Sequence, residues 1–239
     1  MQKGDIVKVD YELRIKETGK VIDTTSAESA KASGTFDEKA HYGPMPMIVG
    51  AGRTIKGFEE AIANAEIGKE ASIEIAPKEA YGERDAAKVE TISIHEFRKQ
   101  DIELYPGATV QAKGKTGTVQ TITPGRVRVD FNHPLAGKTL VYKFKIVGKS
   151  ETAEEKINGI VGMHYTKPEE FGIKIEGDAA TITLADICKY DPNWPPAKYK
   201  IVGDIREYGG VGTVRLIEEY IKKEAPKAET EEKTEEKKQ

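Results

Sequence analysis

Val7-Lys8-Val9-Asp10-Tyr11-Glu12-Leu13-Arg14-Ile15 is the stretch that decides the fold. Its odd positions are apolar or aromatic and its even ones charged, which is the period-two pattern of a strand with one buried face. Tyr11 falls on the inner face. Thr18-Gly19-Lys20 turns the chain, and Val21-Ile22-Asp23 opens a second short strand. Residues 24–43 lose the pattern and read as a long surface loop, the kind of segment that is usually functional or mobile. Residues 45–49 resume as a strand, broken by Gly50-Ala51-Gly52. Phe58, Ala61, Ile62 and Ala65 then recur at i, i+3, i+4 and i+7, which predicts a helix with Gly68 as its C-terminal cap. Residues 70–76 alternate with Ala71, Ile73 and Ile75 inward, and Leu140, Tyr142, Phe144 and Ile146 repeat the device. The expected class is α+β: a predominantly antiparallel sheet packed on one short helix.

Residues 83–130 interrupt that sheet with a different pattern. Ser93-Ile94-His95-Glu96 carries a capping-box signature for a short helix. Residues 110–112, 118–122 and 126–131 read as strands, with Pro124-Gly125 turning the last pair. A block of this kind between two strands of one domain is an inserted, mainly-β domain. It carries eight basic and seven acidic residues, so charge is not its means of binding.

Beyond Lys149 the composition shifts again, and residues 150–225 read as a C-terminal α+β domain. Thr152 to Glu155 caps a helix, and Lys167-Pro168-Glu169-Glu170 starts another with proline in its first turn. Residues 173–175, 181–184 and 199–205 look like strands, and Val214, Ile217 and Ile221 mark a closing helix. Residues 226–239 hold no apolar residue but alanine and are expected to be a disordered, charged tail.

With 37 Lys+Arg against 40 Asp+Glu, the net charge of −3 gives no basic footprint for nucleic acid. No apolar run is long enough for a membrane span. The N-terminus enters strand pattern without an apolar leader, and Cys188 is the only cysteine, so a cytoplasmic location is expected. Nucleophilic catalysis needs a nucleophile, a base and an orienting group together. The four histidines, His41, His95, His133 and His164, are scattered over the segments, and Cys188 reads better as a small core residue than as a nucleophile. No His/Cys cluster has metal-ligand spacing, and no metal or cofactor is expected. Gly209-Gly210-Val211-Gly212-Thr213 ahead of the last helix reads as a turn and hinge more than as an anion cradle.

What remains is a set of ordered motifs. Gly4-Asp5 through Tyr11, Val21-Ile22-Asp23, Gly50-Ala51-Gly52-Arg53-Thr54-Ile55-Lys56-Gly57-Phe58, Gly68-Lys69-Glu70, Ala80-Tyr81-Gly82 and Asn132-His133-Pro134-Leu135-Ala136-Gly137 resemble FKBP-type peptidyl-prolyl cis-trans isomerases. The block inserted after Tyr81-Gly82 is similar to the insert-in-flap domain of the SlyD-type branch. The resemblance covers residues 1 to about 149. The segment after it resembles the extra domain of long archaeal members. The resemblance implies an isomerase domain over 1–82 and 131–149 with Tyr11, Asp23, Ile55, Phe58, Tyr81 and Tyr142 as its active site. It places Ile22, Met45 and Met47 on the substrate, Met45 and Met47 standing where relatives often carry phenylalanine. It assigns unfolded-chain binding to the insert, where Val110, Val119, Ile122, Val127 and Val129 are the expected apolar contacts. On their faces alone, Tyr11, Phe58 and Tyr142 read equally as core, and Asp23 as a turn residue.

The implied partners are unfolded or proline-containing polypeptides, with no nucleic acid and no membrane. A homodimer through the C-terminal domain is a further expectation, motivated by the small size of that segment and by Trp194 in an exposed-looking run. The rival reading is a chaperone that holds unfolded chains with vestigial isomerase activity. The absence of a nucleophile fits the chemistry, because rotation about an X–Pro bond breaks no bond and crosses a barrier of roughly 20 kcal/mol.

Overall fold

A computed structural model describes residues 1–97 and 103–221. The expected tail therefore lies outside the described residues. In chain order the main elements are β1 (Ile6–Ile15), β2 (Val21–Thr24), α1 (Ala27–Ser33), β3 (Met45–Ile48), α2 (Lys56–Asn64) and β4 (Glu70–Ile75). There follow β5 (Val89–Ser93), β6 (Thr109–Ala112), β7 (Lys115–Thr123), β8 (Arg126–Asp130) and β9 (Leu140–Lys149). The chain closes with α3 (Ala153–His164), β10 (Gly172–Glu176), β11 (Ala179–Thr183), α4 (Trp194–Tyr208) and β12 (Thr213–Ile217). Among the described residues the architecture is α+β with three sheets and three hydrophobic cores.

The first sheet runs β2-β1-β9-β4, all antiparallel, with β3 also paired to β1. Val7, Val9 and Leu13 of β1 meet Leu140, Phe144 and Ile146 of β9 and Phe58 and Ile62 of α2 in one core. The helix sits close on the sheet because Gly57 has no side chain: a Cβ there would fall 2.8 Å from Ile75 Cγ2. The helix stops at Asn64, with Ala65 already extended. Gly68 lies beyond it, at φ +83, and donates its N–H to Ile146 of β9, so it ties a loop to the sheet and does not cap the helix. Residues 24–43 are not all loop, since α1 is capped there by Ser26 and closed by Gly34 in the left-handed region.

The inserted sheet runs β5-β8-β7-β6, antiparallel throughout. Its inward residues close with Phe97 and Ala108 into a separate core. The helix expected after Ser93 is a single 3₁₀ turn, Ile94–Phe97. Val110, Val119, Val127 and Val129 are fully buried in this core, which corrects their assignment as client contacts: alternation brought them inside because the sheet has one dry face. Ile122 is half-buried.

The third sheet, β10-β11-β12, pairs β10 with β11 antiparallel and β11 with β12 parallel. Several expectations fail here. Residues 199–205 belong to α4 and not to a strand: Pro195 and Pro196 occupy its first turn, and Trp194, Ala197, Ile201 and Ile205 share its buried stripe. The crossover helix is what lets β12 lie parallel to β11. The closing segment is β12 and not a helix, because Val214 and Leu216 alternate inward while Ile217 points out. Gly212 donates its N–H to Asp178, which closes the Gly-rich stretch as a turn. Lys167-Pro168-Glu169-Glu170 forms one 3₁₀ turn. Trp194 is only 4% exposed, packed on Tyr165 and Phe171, so the run that looked exposed is an anchor of the domain's own core.

The C-terminal domain leans on the back of the first sheet. Ile6 and Ile48 are buried with Ile157 and Ile160 of α3, while Val7 and Val9 face the other core. A second lock joins the domains: Arg53 grips the buried Asp204 of α4 with its two terminal guanidinium nitrogens. His164 Nε2 lies 2.5 Å from the same carboxylate.

Candidate active site

The floor of the pocket is aromatic. Phe58, 1% exposed, stacks on Tyr142 with ring centroids 3.9 Å apart and meets Phe144 edge-on at 5.3 Å. Tyr11 stands against both, 5.8 Å from Phe58 and 5.8 Å from Tyr142. Strand pairing delivers this cluster: Leu13 is opposite Tyr142 and Tyr11 opposite Phe144 across β1 and β9, while the helix carries Phe58 up from beneath. Such ring pairs add about 0.5–1.5 kcal/mol each beyond burial.

One wall is polar. The Tyr11 hydroxyl donates to Asp23 Oδ2 at 2.7 Å, and Asp23 Oδ1 accepts the Thr24 N–H at 2.9 Å. Burial, and then the neighbouring Asp23 carboxylate, push the Tyr11 hydroxyl pKa up, so it stays protonated and donating. Burial does the same for Tyr142. Asp23 itself is exposed at the mouth. Ile22 and Met47 are half-buried, and Met45 is 44% exposed.

Ile55 is the residue before α2, in extended conformation. Its carbonyl accepts from the Phe58 and Glu59 N–H groups. Among the described residues its own N–H has no partner, which leaves a backbone donor free at the head of α2. The turn in front of it is held twice. Glu59 accepts the Gly52 N–H at 2.7 Å, and Arg53 is pinned to Asp204. Burial works against the charge on Asp204, but the Arg53 and His164 hydrogen bonds hold its carboxyl below the ordinary range.

Tyr81 stands at the rim, 37% exposed, with its ring stacked on His133 at 4.1 Å. His133 is oriented in turn by accepting the Leu135 N–H at Nδ1. The neck of the insert begins beside them. Asn132 is the clasp: it accepts the Asp85 N–H, donates to the Asp85 carbonyl and donates to Asp130 Oδ1. Arg84 pairs with Asp130, and the Gly137 N–H reaches the Gly82 carbonyl at 2.8 Å.

Tyr11, Asp23, Phe58 and Tyr142 thus converge, with Ile55 beside the floor and Tyr81 at the rim. Val110, Val119, Val127 and Val129 stand apart in the insert's own core. Sequence reasoning missed Phe144 as floor, His133 as the support of Tyr81, Asn132 as the clasp of the neck, and Arg53, Asp204 and His164 as the brace of the turn. His133 and Asn132 had a signal in the motif that contains them. Nothing local could have paired Arg53 with a residue 151 positions away.

Comparison with known proteins places the parts. The family described as FKBP-type peptidyl-prolyl cis-trans isomerase matches residues 1–105. The descriptions "FKBP26, IF domain" and "FKBP26_C-terminal" match residues 90–135 and 153–221. The chain is 40% identical over 146 residues to the short-type peptidyl-prolyl cis-trans isomerase of Methanocaldococcus jannaschii, covering 61% of this chain and 92% of that protein. It is 32% identical over 154 residues to the FKBP-type isomerase SlyD of Helicobacter pylori, covering 62% of this chain and 75% of that protein. SlyD of Escherichia coli K12 is 30% identical over 125 residues, covering 51% of this chain and 63% of that protein. An aromatic-floored pocket with a free backbone donor, and relatives that share the domain around it, agree: the chain belongs to the FKBP-type peptidyl-prolyl cis-trans isomerases.

Proposed function

We propose that the pocket rotates X–Pro bonds in unfolded or nascent polypeptides while the inserted domain holds the chain as a chaperone. The observation that carries this reading is the stacked Phe58–Tyr142 floor together with Ile55, whose N–H has no partner among the described residues. A proline ring fits an apolar, aromatic floor. The Ile55 N–H and the Tyr81 hydroxyl offer donors to substrate carbonyls. The planar amide owes its barrier to resonance that places charge on oxygen, and taking the amide out of water favours the less polar twisted state. A thousandfold acceleration needs only about 4 kcal/mol, within reach of a shaped apolar site and one or two hydrogen bonds.

Since the insert's valines are buried, client contact falls to its outer residues and edges. Ile94, Leu104 and Ile122 are half-buried, Tyr105 is exposed, and β5 and β6 are open sheet edges that can pair with an extended chain. Tethering a chain near Tyr81 raises the effective concentration of its prolines at the pocket without changing the chemical barrier. Replacing residues 83–130 by a short loop should leave tetrapeptide isomerisation within about threefold of the parent and sharply reduce catalysis of a proline-limited refolding reaction. A parallel fall of both in a folded variant would mean that the insert shapes the pocket itself. No tetrapeptide isomerisation by the parent would favour the rival, a chaperone with vestigial activity.

For assembly, the C-terminal homodimer keeps a motive, but a different one. Tyr190 and Tyr220 are 81% and 73% exposed and flank Lys189, leaving aromatic surface that a second copy can cover. Sedimentation of the full chain beside Tyr190→Lys tests it; a monomeric parent ends the idea. Among the described residues no helix is long and apolar enough to cross a membrane. A cytoplasmic location fits a chain whose one cysteine is free and buried.

A further inference from the structure

Beside the pocket runs a cleft of about 740 Å³ that the isomerase domain does not make alone. One wall is the mouth of the active site itself: Tyr11, Ile22, Asp23 and Met45 line both. The other wall is α3 and the turn after it, through Asn158, Met163 and Thr166. The cleft is thus a continuation of the pocket past the Tyr11–Asp23 hydrogen bond. Tyr81 and the neck of the insert take no part in lining it.

Its walls are held at a fixed distance. β3 is shared by period two: Met45 and Met47 turn toward the isomerase side, Pro46 and Ile48 toward the C-terminal domain. Pro46 rides over the two glycines of α3. A Cβ on Gly159 would meet Ile6 at 3.1 Å and Pro46 at 3.7 Å, and one on Gly162 would meet Pro46 at 3.7 Å. Strand and helix therefore pack as neighbours in one core, and Arg53 with Asp204 braces the same junction.

The chemistry of the lining selects an occupant. Apolar Met45, Pro46 and Met163 alternate with Asn158 and Thr166, which can donate to or accept from a peptide backbone. Charges of both signs line it: Asp23 is engaged by Tyr11, Glu155 by the capping box of α3 and Lys167 by Glu170, and Lys8, Asp37 and Glu169 stand among them. A lining of mixed charge and apolar surface selects no strongly charged ligand and suits a polypeptide chain. We propose that this cleft is an extended substrate subsite, in which α3 holds the stretch of client chain on one side of the proline being rotated. The proposal rests on the isomerase reading, and it makes the C-terminal domain part of the substrate site.

The test compares a proline tetrapeptide with two decapeptides sharing its X–Pro bond, one lengthened before the proline and one after it, both with neutral residues. The full-length protein is used throughout. One decapeptide should show a kcat/KM about fivefold or more above the tetrapeptide, and the other little gain. Asn158→Trp and Thr166→Trp, both at exposed positions on the cleft wall, should abolish that gain while tetrapeptide kcat/KM stays within about twofold. A benzophenone on the favoured decapeptide should crosslink to residues 155–168. The proposal falls if neither decapeptide outperforms the tetrapeptide, if the gain survives both folded variants, or if crosslinks map only to the pocket or the insert. Should the parent fail to turn over any peptide, the isomerase reading is what fails, and the crosslink alone then decides whether a chain occupies the cleft.

Discussion

Phe58 and Tyr142 in the isomerase domain and Val127 and Val129 in the insert are all buried, inward-facing side chains. Around the first pair the covering stops short. Tyr11, Ile22, Met47 and Ile55 are half-buried and Asp23, Met45 and Tyr81 are exposed, so the aromatic floor ends in an open mouth. Around the second pair Phe97, Ala108 and Val110 complete the closure. A buried face is therefore a site only where the elements beside it fail to cover it. That failure is decided by loops and neighbouring domains, not by the strand that carries the residues.

The two regions should respond differently to the same kind of truncation. Phe58→Ala should cost about 3–5 kcal/mol in denaturant unfolding and also remove most tetrapeptide isomerisation, since one side chain serves both core and floor. Full activity in the folded variant would break the comparison at its first term. Val129→Ala should cost about 2 kcal/mol, confined to the insert, and leave tetrapeptide turnover unchanged. If instead it weakened client holding with no loss of stability, the valine would be a contact surface after all.

Arg53→Ala sharpens the comparison from outside the floor. It takes the bidentate partner from a buried carboxylate that keeps only His164, and Arg53 is itself 40% exposed, so the loss should be about 2 kcal/mol, below that of a fully buried pair. Because Ile55 follows on the same turn, kcat/KM should fall as well; lost stability with unaltered kcat/KM would show that the turn holds its geometry unaided. The same brace carries a pH signature. Asp204 and Asp130 are both held below their usual value of 3.8. A depressed folded pKa supplies stability in full above the unfolded value and loses it as pH falls through the folded one. Unfolding free energy should therefore hold from neutral pH to about pH 5 and drop below about pH 4, with a smaller drop in Asp204→Asn. An unchanged acid limb in that variant would remove Asp204 from the account.

The smallest stability effect belongs to the rim. Tyr81→Ala should change stability by less than about 0.5 kcal/mol, because the ring is half in solvent and loses mainly its stack on His133. Isomerisation should still fall severalfold. A large loss of stability would place Tyr81 with the core and leave the mouth without its donor.

Alternation along residues 7–15 and 140–146 determined by itself that two strands share one buried face, and the spacing of Phe58, Ala61 and Ile62 determined the helix beneath, which ends one residue before Ala65. The ordered motifs determined the family, and the resemblance they carry named Tyr11, Asp23, Ile55, Phe58 and Tyr142. Of these the structure gathers Tyr11, Phe58 and Tyr142 into one aromatic cluster with Asp23 hydrogen-bonded to it. The C-terminal domain was less legible. Tyr199–Ile205 is compatible with either period, and only Trp194, buried at the head of the same stripe, resolves it as helix. Leu216, not Ile217, faces the core of β12, a choice set by pairing with β11. Tertiary structure alone decided which buried residues stay accessible, and it alone brought Arg53 to Asp204 and α3 to the mouth of the pocket. The reason is physical: periodicity reports which side of an element leaves water, whereas accessibility and long-range ion pairs depend on what arrives from elsewhere in the chain to cover that side.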